Sequence, residues 1–280
     1  MQQVQGPPPV RAVTIPFADL KDRSKDLSGK IEEGLGRQGL GIVSIAGVPG
    51  YPELRKRLLR LAPRLVNLPD NVKKELEDPD SRYFFGWSHG KEKLENGIWD
   101  TFKGSYFANP VFDVPTADDV LVTRKENDGV QSVSTWCGWH TDYGTLTGLT
   151  CGLFTRKSEE IPCHDVESGL YVRTRDHQVV KVIFEDDELA YQIGETAEIL
   201  SRGHLCATPH CVKAPSSENA SDVDRSTFVL FIQPDWDEKL KLPSEMPYHQ
   251  ELIPPKAEGY TLTYGEYSER VADKYFEARA

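Results

Sequence analysis

The sequence predicts a mostly-β domain of the sandwich or barrel type with flanking helices. Three observations predict it. From about residue 133, short β-branched and aromatic runs recur at close spacing between turn signals. Before that, helical periodicity surrounds one strand-like run. The segment TYGEYSERVADKYFEAR (263–279) is again helical. With 280 residues, 38% of them apolar, the chain can build one large core, which excludes global disorder.

The elements follow in order. VTIPFADL (13–20) reads as a short strand or extended lead-in, LSGKIEEGLGRQ (27–38) as a helix, and GIVSIAGV (41–48) as a strand. In residues 51–69, Leu54, Leu58, Leu61, Leu65 and Leu68 form one helical face. Asp70 is placed to cap a second helix over 70–78. Residues 82–110 are dense in aromatics and glycine with poor periodicity, and read as a long structured loop. Strands are expected within 145–154, 169–175, 178–184, 190–195, 204–214 and 226–234, with Asp176-His177 turning one hairpin.

Charge and cysteines narrow the function. The 33 basic and 44 acidic residues leave a formal charge of −11, which argues against a nucleic-acid duplex as partner. No apolar run is long enough for a membrane span, and MQQVQGPPPV reads as a loose leader, not a signal peptide. Five cysteines without a C-x-x-C argue for reduced thiols in a cytoplasmic protein.

The chemistry concentrates in STWCGWHTDYGTLTGL (134–149). In an extended strand His140 and Asp142 point to one side, so an imidazole and a carboxylate can share a metal. His210 is the best third ligand. His204, six residues earlier, is the rival in an unbroken strand, while His89, His164, His177 and His249 read as loop or turn residues. Two histidines and one carboxylate leave open positions on the metal, which suits Fe(II) binding a co-substrate and O2. Arg225 and Thr227 again share a strand face, and a guanidinium beside a hydroxyl makes a carboxylate clamp. Cys206 and Cys211 read as small buried residues, and Trp139 as a packing residue facing away from the metal.

The order His140-x-Asp142, His210, Arg225-x-Thr227 resembles the Fe(II)/2-oxoglutarate-dependent oxygenases, in their isopenicillin N synthase-like branch. IPFADL, GLGIVSIAGV, NLPDNVKKEL, HTDYGTLTGL, GLYVRTRDHQVVKV and IGETAEILSRGHLCATPHCV resemble that family's blocks, in its order. The resemblance implies a double-stranded β-helix (jelly-roll) core over 111–280 with a helical and loop region, 1–110, packed on it and a C-terminal helix. It implies metal ligands His140, Asp142 and His210, with Arg225 and Thr227 at the 2-oxoglutarate carboxylate. The implied activity is oxidation of a small molecule, usually hydroxylation, with release of succinate and CO2. Tyr83, Phe85 and Trp87 either line the substrate pocket or pack the helical layer. Three features depart from the family: R-S-T stands for the usual R-x-S, SSENASDVD lengthens the spacing before Arg225, and LVTRKENDGVQSVSTW lacks the usual tyrosine. The alternatives are an oxidase of the same family that uses no 2-oxoglutarate, a non-catalytic metal- or 2-oxoglutarate-binding module, and a cupin-like zinc hydrolase. The last has no need of Arg225.

Overall fold

A computed structural model describes residues 9–92, 99–101, 103–108, 120–124, 135–163, 165–215, 223–241 and 261–275. The chain begins with β1 (Val10–Arg11), β2 (Val13–Pro16), α1 (Phe17–Lys21), α2 (Ser28–Leu35) and β3 (Ile42–Ala46). Three short helices follow: α3 (Tyr51–Leu59), α4 (Ala62–Val66) and α5 (Asp70–Glu75). Next come β4 (Gly86–His89), β5 (Lys103–Phe107), β6 (Val120–Arg124), β7 (Thr135–His140), β8 (Leu146–Thr150), β9 (Leu153–Arg156) and β10 (Glu159–Ile161). The remainder holds β11 (Gly169–Arg173), β12 (Val179–Ile183), β13 (Leu189–Ile193), α6 (Glu195–Leu200), β14 (His210–Lys213), β15 (Val223–Ile232), β16 (Lys239–Leu240), β17 (Leu262–Thr263) and α7 (Tyr264–Tyr275).

Two sheets carry the fold. The smaller runs β1-β12-β11-β14-β7, and the larger β2-β3-β13-β8-β15-β6-β5-β4, with β9 and β10 extending from β15. From β7 onward the chain alternates between them: β7 small, β8 to β10 large, β11 and β12 small, β13 large, β14 small, β15 large. This alternation is the winding of a jelly roll. Ile42 and Ala190 of the larger sheet meet Val172 and Val182 of the smaller one in a buried cluster. Each such isoleucine or valine side chain contributes about 1.5–3 kcal/mol by leaving water.

Among the described residues β15 is the longest strand, with ten residues. On one side its second half pairs with β8 and its first half with β9, and on the other side it pairs with β6. Cys151 and Gly152 interrupt the strand predicted over 145–154, so β8 and β9 are separate segments along one neighbour.

The structure corrects several expectations. Residues 51–69 form two helices, and Pro63 lies in the first turn of the second. Their buried face is Tyr51, Arg55, Leu59 and Ala62, whereas Leu54 and Leu61 are 59% and 49% exposed. Asp70 is the first residue of α5 rather than its cap; it makes no capping bond and pairs with Lys73 at 2.9 Å. The supposed loop at 82–110 contains the antiparallel pair β4 and β5. Residues 204–209 are not strand, because their backbone joins α6 and α2 instead of a ladder: Ala207 N–H donates to the Glu198 carboxylate and Cys206 N–H to Leu35 O. The lead-in at 13–20 turns into α1 at Phe17. His164, His249 and most of the N-terminal leader lie outside the described residues.

Candidate metal centre and its cavity

His140 closes β7 and His210 opens β14, and the two are direct partners in the antiparallel ladder. Asp142 lies two residues beyond, past the end of β7 and not within it. The three side chains therefore meet at the rim of the smaller sheet. Each offers a ligand atom, and these atoms lie within 4.8 Å of one another. Nε2 of His140 is 3.7 Å from Asp142 Oδ1, and Nε2 of His210 is 3.9 Å from Oδ2. These gaps are too long for hydrogen bonds and leave room for a shared ion.

The donor chemistry fits a divalent metal. His140 Nδ1 is 2.8 Å from Gly138 O and donates to it, which leaves Nε2 as a lone pair facing Asp142. Asp142 is buried, and its Oδ2 makes no hydrogen bond. An uncompensated buried carboxylate oxygen is costly, and a cation is its natural partner. The imidazole centroids are 4.2 Å apart, so both rings cannot be charged together. Burial pushes His210 down to about 4, with His140 adding to the effect, and so keeps it a neutral ligand. Without a metal, burial opposes charge on His140, but Cys137 and Asp142 outweigh it and raise that ring to about 10, so a cation binding at Nε2 must displace a proton to free the lone pair.

Cys137 arrives there through a change of register. Two steps along β14, from His210 to Val212, match three along β7, from His140 to Cys137; a second shift follows between Val212 and Lys213. Each bulge adds one residue to β7 and reverses its in–out alternation. Cys137 and His140 consequently face the same cavity, with Sγ 3.7 Å from Nδ1. Trp139 does not line the cavity; its ring lies 4.6 Å from the Arg173 guanidinium.

The cavity encloses about 320 Å³ between the sheets. The metal residues form one wall, and Arg225 and Thr227 of β15 also line it. Arg225 sits 5.9 Å from the Trp136 ring, and Trp136 in turn packs against Phe154. Burial lowers the Arg225 guanidinium from its ordinary value, but an arginine stays charged in proteins. Gly152 makes room for it, since a Cβ there would come within 2.6 Å of Arg225 Nε. Thr227 donates its hydroxyl proton to Thr150 O at 2.9 Å, so that hydroxyl is already engaged by its own sheet.

Two residues that the sequence reading did not identify complete this end. Arg55 of α3 is buried and donates to Cys151 O at 2.9 and 2.8 Å and to Gly152 O at 3.1 Å, the two residues where β8 breaks from β9. Lys103 also lines the cavity, paired with Glu92 at 2.5 Å. An arginine at a core spacing on α3 was the available signal for the first. For the second there was none.

The remaining candidates fall elsewhere. Tyr83, Phe85 and Trp87 are not among the cavity-lining residues. Phe85 is 43% exposed, and Trp87 is buried against Gly104 with Lys73 over its ring. His204 is exposed and lies outside any strand, so it shares no face with His210. Cys206 and Cys211 are buried, and none of the five cysteines forms a disulfide.

No protein-family model and no curated protein matches the chain. Solved structures do match. A full-length Neurospora crassa protein in complex with alpha-KG aligns over 94% of this chain and 96% of its own, with TM-score 0.66 and 16% identity. A 2OG-Fe(II) oxygenase family protein from Caulobacter crescentus aligns over 94% and 98%, with TM-score 0.63 and 15% identity. Arabidopsis thaliana DAO1, a dioxygenase for auxin oxidation solved with 2-oxoglutarate, aligns over 80% and 93%, with TM-score 0.56 and 15% identity. The chain thus has the jelly-roll fold of 2-oxoglutarate/Fe(II) oxygenases. At these identities the likeness carries the fold, and the activity has to be argued from the site.

Proposed function

We propose that the chain is an Fe(II)- and 2-oxoglutarate-dependent oxygenase that oxidises a small molecule. One observation carries the reading: the His140–Asp142–His210 cluster and the half-buried Arg225 line the same cavity. A zinc hydrolase needs the first and not the second.

His140 and His210 would hold iron through Nε2, and Asp142 through its carboxylate. When bound, iron and 2-oxoglutarate supply the oxidising chemistry, in which O2 is consumed and the co-substrate is cleaved to succinate and CO2. Arg225 would pair with the far carboxylate of 2-oxoglutarate, its guanidinium held between Trp136 and the Gly152 backbone. Trp136, Phe154 and Val229 give this wall an apolar face that keeps water from the reacting groups. Lys103, with its charge balanced by Glu92, is a second cation on the wall. The neighbours named above support a small-molecule substrate, and the sequence blocks support the isopenicillin N synthase-like branch. The chain reads as one catalytic unit, with residues 1–110 layered on the core at 111–280. No helix among the described residues is long and apolar enough to cross a membrane. Five cysteines that form no disulfide support a reducing compartment such as the cytoplasm.

Anaerobic titration with Fe(II) and 2-oxoglutarate tests this reading. A weak visible charge-transfer band is expected in the wild type and is expected to vanish in Arg225→Ala. No band in the wild type, or an undiminished band in the variant, would sink it. Succinate release that is lost in His140→Ala would exclude a purely binding role.

A further inference from the structure

β13 carries a side chain that packing alone does not explain. Gln192 is 0% exposed, in a strand whose neighbours Ala190 and Ile193 are buried apolar residues. A leucine or methionine would fill the same space without desolvating an amide. Gln192 instead reaches from the larger sheet to the back of His210 on the smaller one, its Nε2 2.7 Å from His210 Nδ1 and 3.3 Å from Thr208 O. Its Oε1 is buried and has no hydrogen-bond partner.

We infer that Gln192 is a positioning residue of the metal centre, whose side-chain carbonyl accepts the Nδ1–H of metal-bound His210. The inference rests on the iron reading above. A histidine that gives its Nε2 lone pair to a metal must carry its proton on Nδ1, and an acceptor behind the ring fixes both tautomer and orientation. Thr208 O, at 3.1 Å, is one acceptor in reach, and the Gln192 amide is the other. With a proton on Nδ1, an amide nitrogen at 2.7 Å would set donor against donor. A half-turn of the amide brings Oε1 to that position at the cost of the longer 3.3 Å bond from Nε2 to Thr208 O; the two ends have nearly the same shape, so the shorter contact to the ring decides between them. With the nitrogen facing the ring, Nδ1 is the acceptor and the proton sits on Nε2, where it blocks the ligand position. The amide orientation and the metal competence of His210 are therefore coupled across the two sheets.

Co(II) affinity of the full chain, read anaerobically from the visible d–d bands without 2-oxoglutarate, tests this in wild type, Gln192→Met and Gln192→Glu. The methionine variant fills the space but accepts nothing, and is expected to bind Co(II) about tenfold more weakly or worse. The glutamate variant restores an acceptor and is expected to return affinity to the wild-type level or above. Equal affinity in all three overturns the inference, as does a glutamate variant as weak as the methionine one. If neither variant folds, the wild-type Zn(II) protein labelled with 15N-histidine decides. A protonated His210 Nδ1 with no strong cross-peak to the Gln192 side-chain NH2 is expected, and a strong cross-peak overturns it. A wild type that binds neither Co(II) nor Fe(II) defeats the oxygenase reading itself, whereas wild-type binding with a flat variant series defeats only the role of Gln192.

Discussion

At the metal end of the cavity, His140 and His210 face each other across one ladder and Asp142 follows two residues on. At the other end, Arg225 projects from the start of β15, between Trp136 and Gly152, beside backbone that Arg55 holds from a different layer of the protein. The first end is made by one directly paired couple of strands and the turn after β7, with a bulge that brings Cys137 in beside His140. The second is assembled from α3, the β8–β9 break and β15, and its cation is held in place by packing against Trp136 and the close approach of Gly152. Metal affinity and co-substrate affinity should consequently be separable by mutation, although both sites open on the same 320 Å³ cavity.

The largest separation is expected from Asp142→Ala. It removes a ligand, so Co(II) affinity should fall by about 100-fold or more, beyond the span typical of changes behind the ligands. It also removes a buried oxygen without a partner, so the metal-free protein should melt at the same temperature or higher. A lower melting temperature in calorimetry would mean that the carboxylate has a structural role. Next comes Arg55→Met. Three charge-assisted bonds to Cys151 and Gly152 carbonyls disappear, and a loss of about 2–3 kcal/mol is expected in urea unfolding. The 2-oxoglutarate affinity should weaken several-fold as Gly152 shifts against Arg225, with Co(II) affinity unchanged. A metal affinity that falls in parallel would break the comparison. Thr227→Val is the smallest. The hydroxyl already donates to Thr150 O, so stability should drop by about 1 kcal/mol and 2-oxoglutarate affinity only a few-fold. A loss as large as that in Arg225→Ala would show that this hydroxyl serves the ligand instead.

The metal end was legible in the sequence because its signal is local. His140 and Asp142 sit together in one block, and His210 belongs to a second block in family order. Even so, the reason given was only partly right, since Asp142 lies beyond the strand and not on its face. Helix periodicity failed over 51–69, where a row of leucines outweighed Arg55 in the pattern although Arg55 holds the inward position. The β4–β5 pair was hidden by glycines and aromatics that follow no period of two. Gln192 left one trace, an amide inside LAYQI, whose meaning depends on a ring from the opposite sheet. Contacts between sheets are what a one-dimensional pattern does not contain.

The central position of β15 also bears on how the protein is made. Its ten residues are the common neighbour of β6, β8 and β9, and it follows all three in the chain. During synthesis those strands emerge first and wait with an unpaired edge. Pairings this distant in sequence form slowly, because the connecting chain must be closed before any contact rewards it. His140 and His210 are both out of the ribosome before Arg225 is, so a nascent chain has its proposed metal ligands before it has the proposed clamp. The step that adds β15 to the larger sheet is also the step that delivers Arg225 to the cavity.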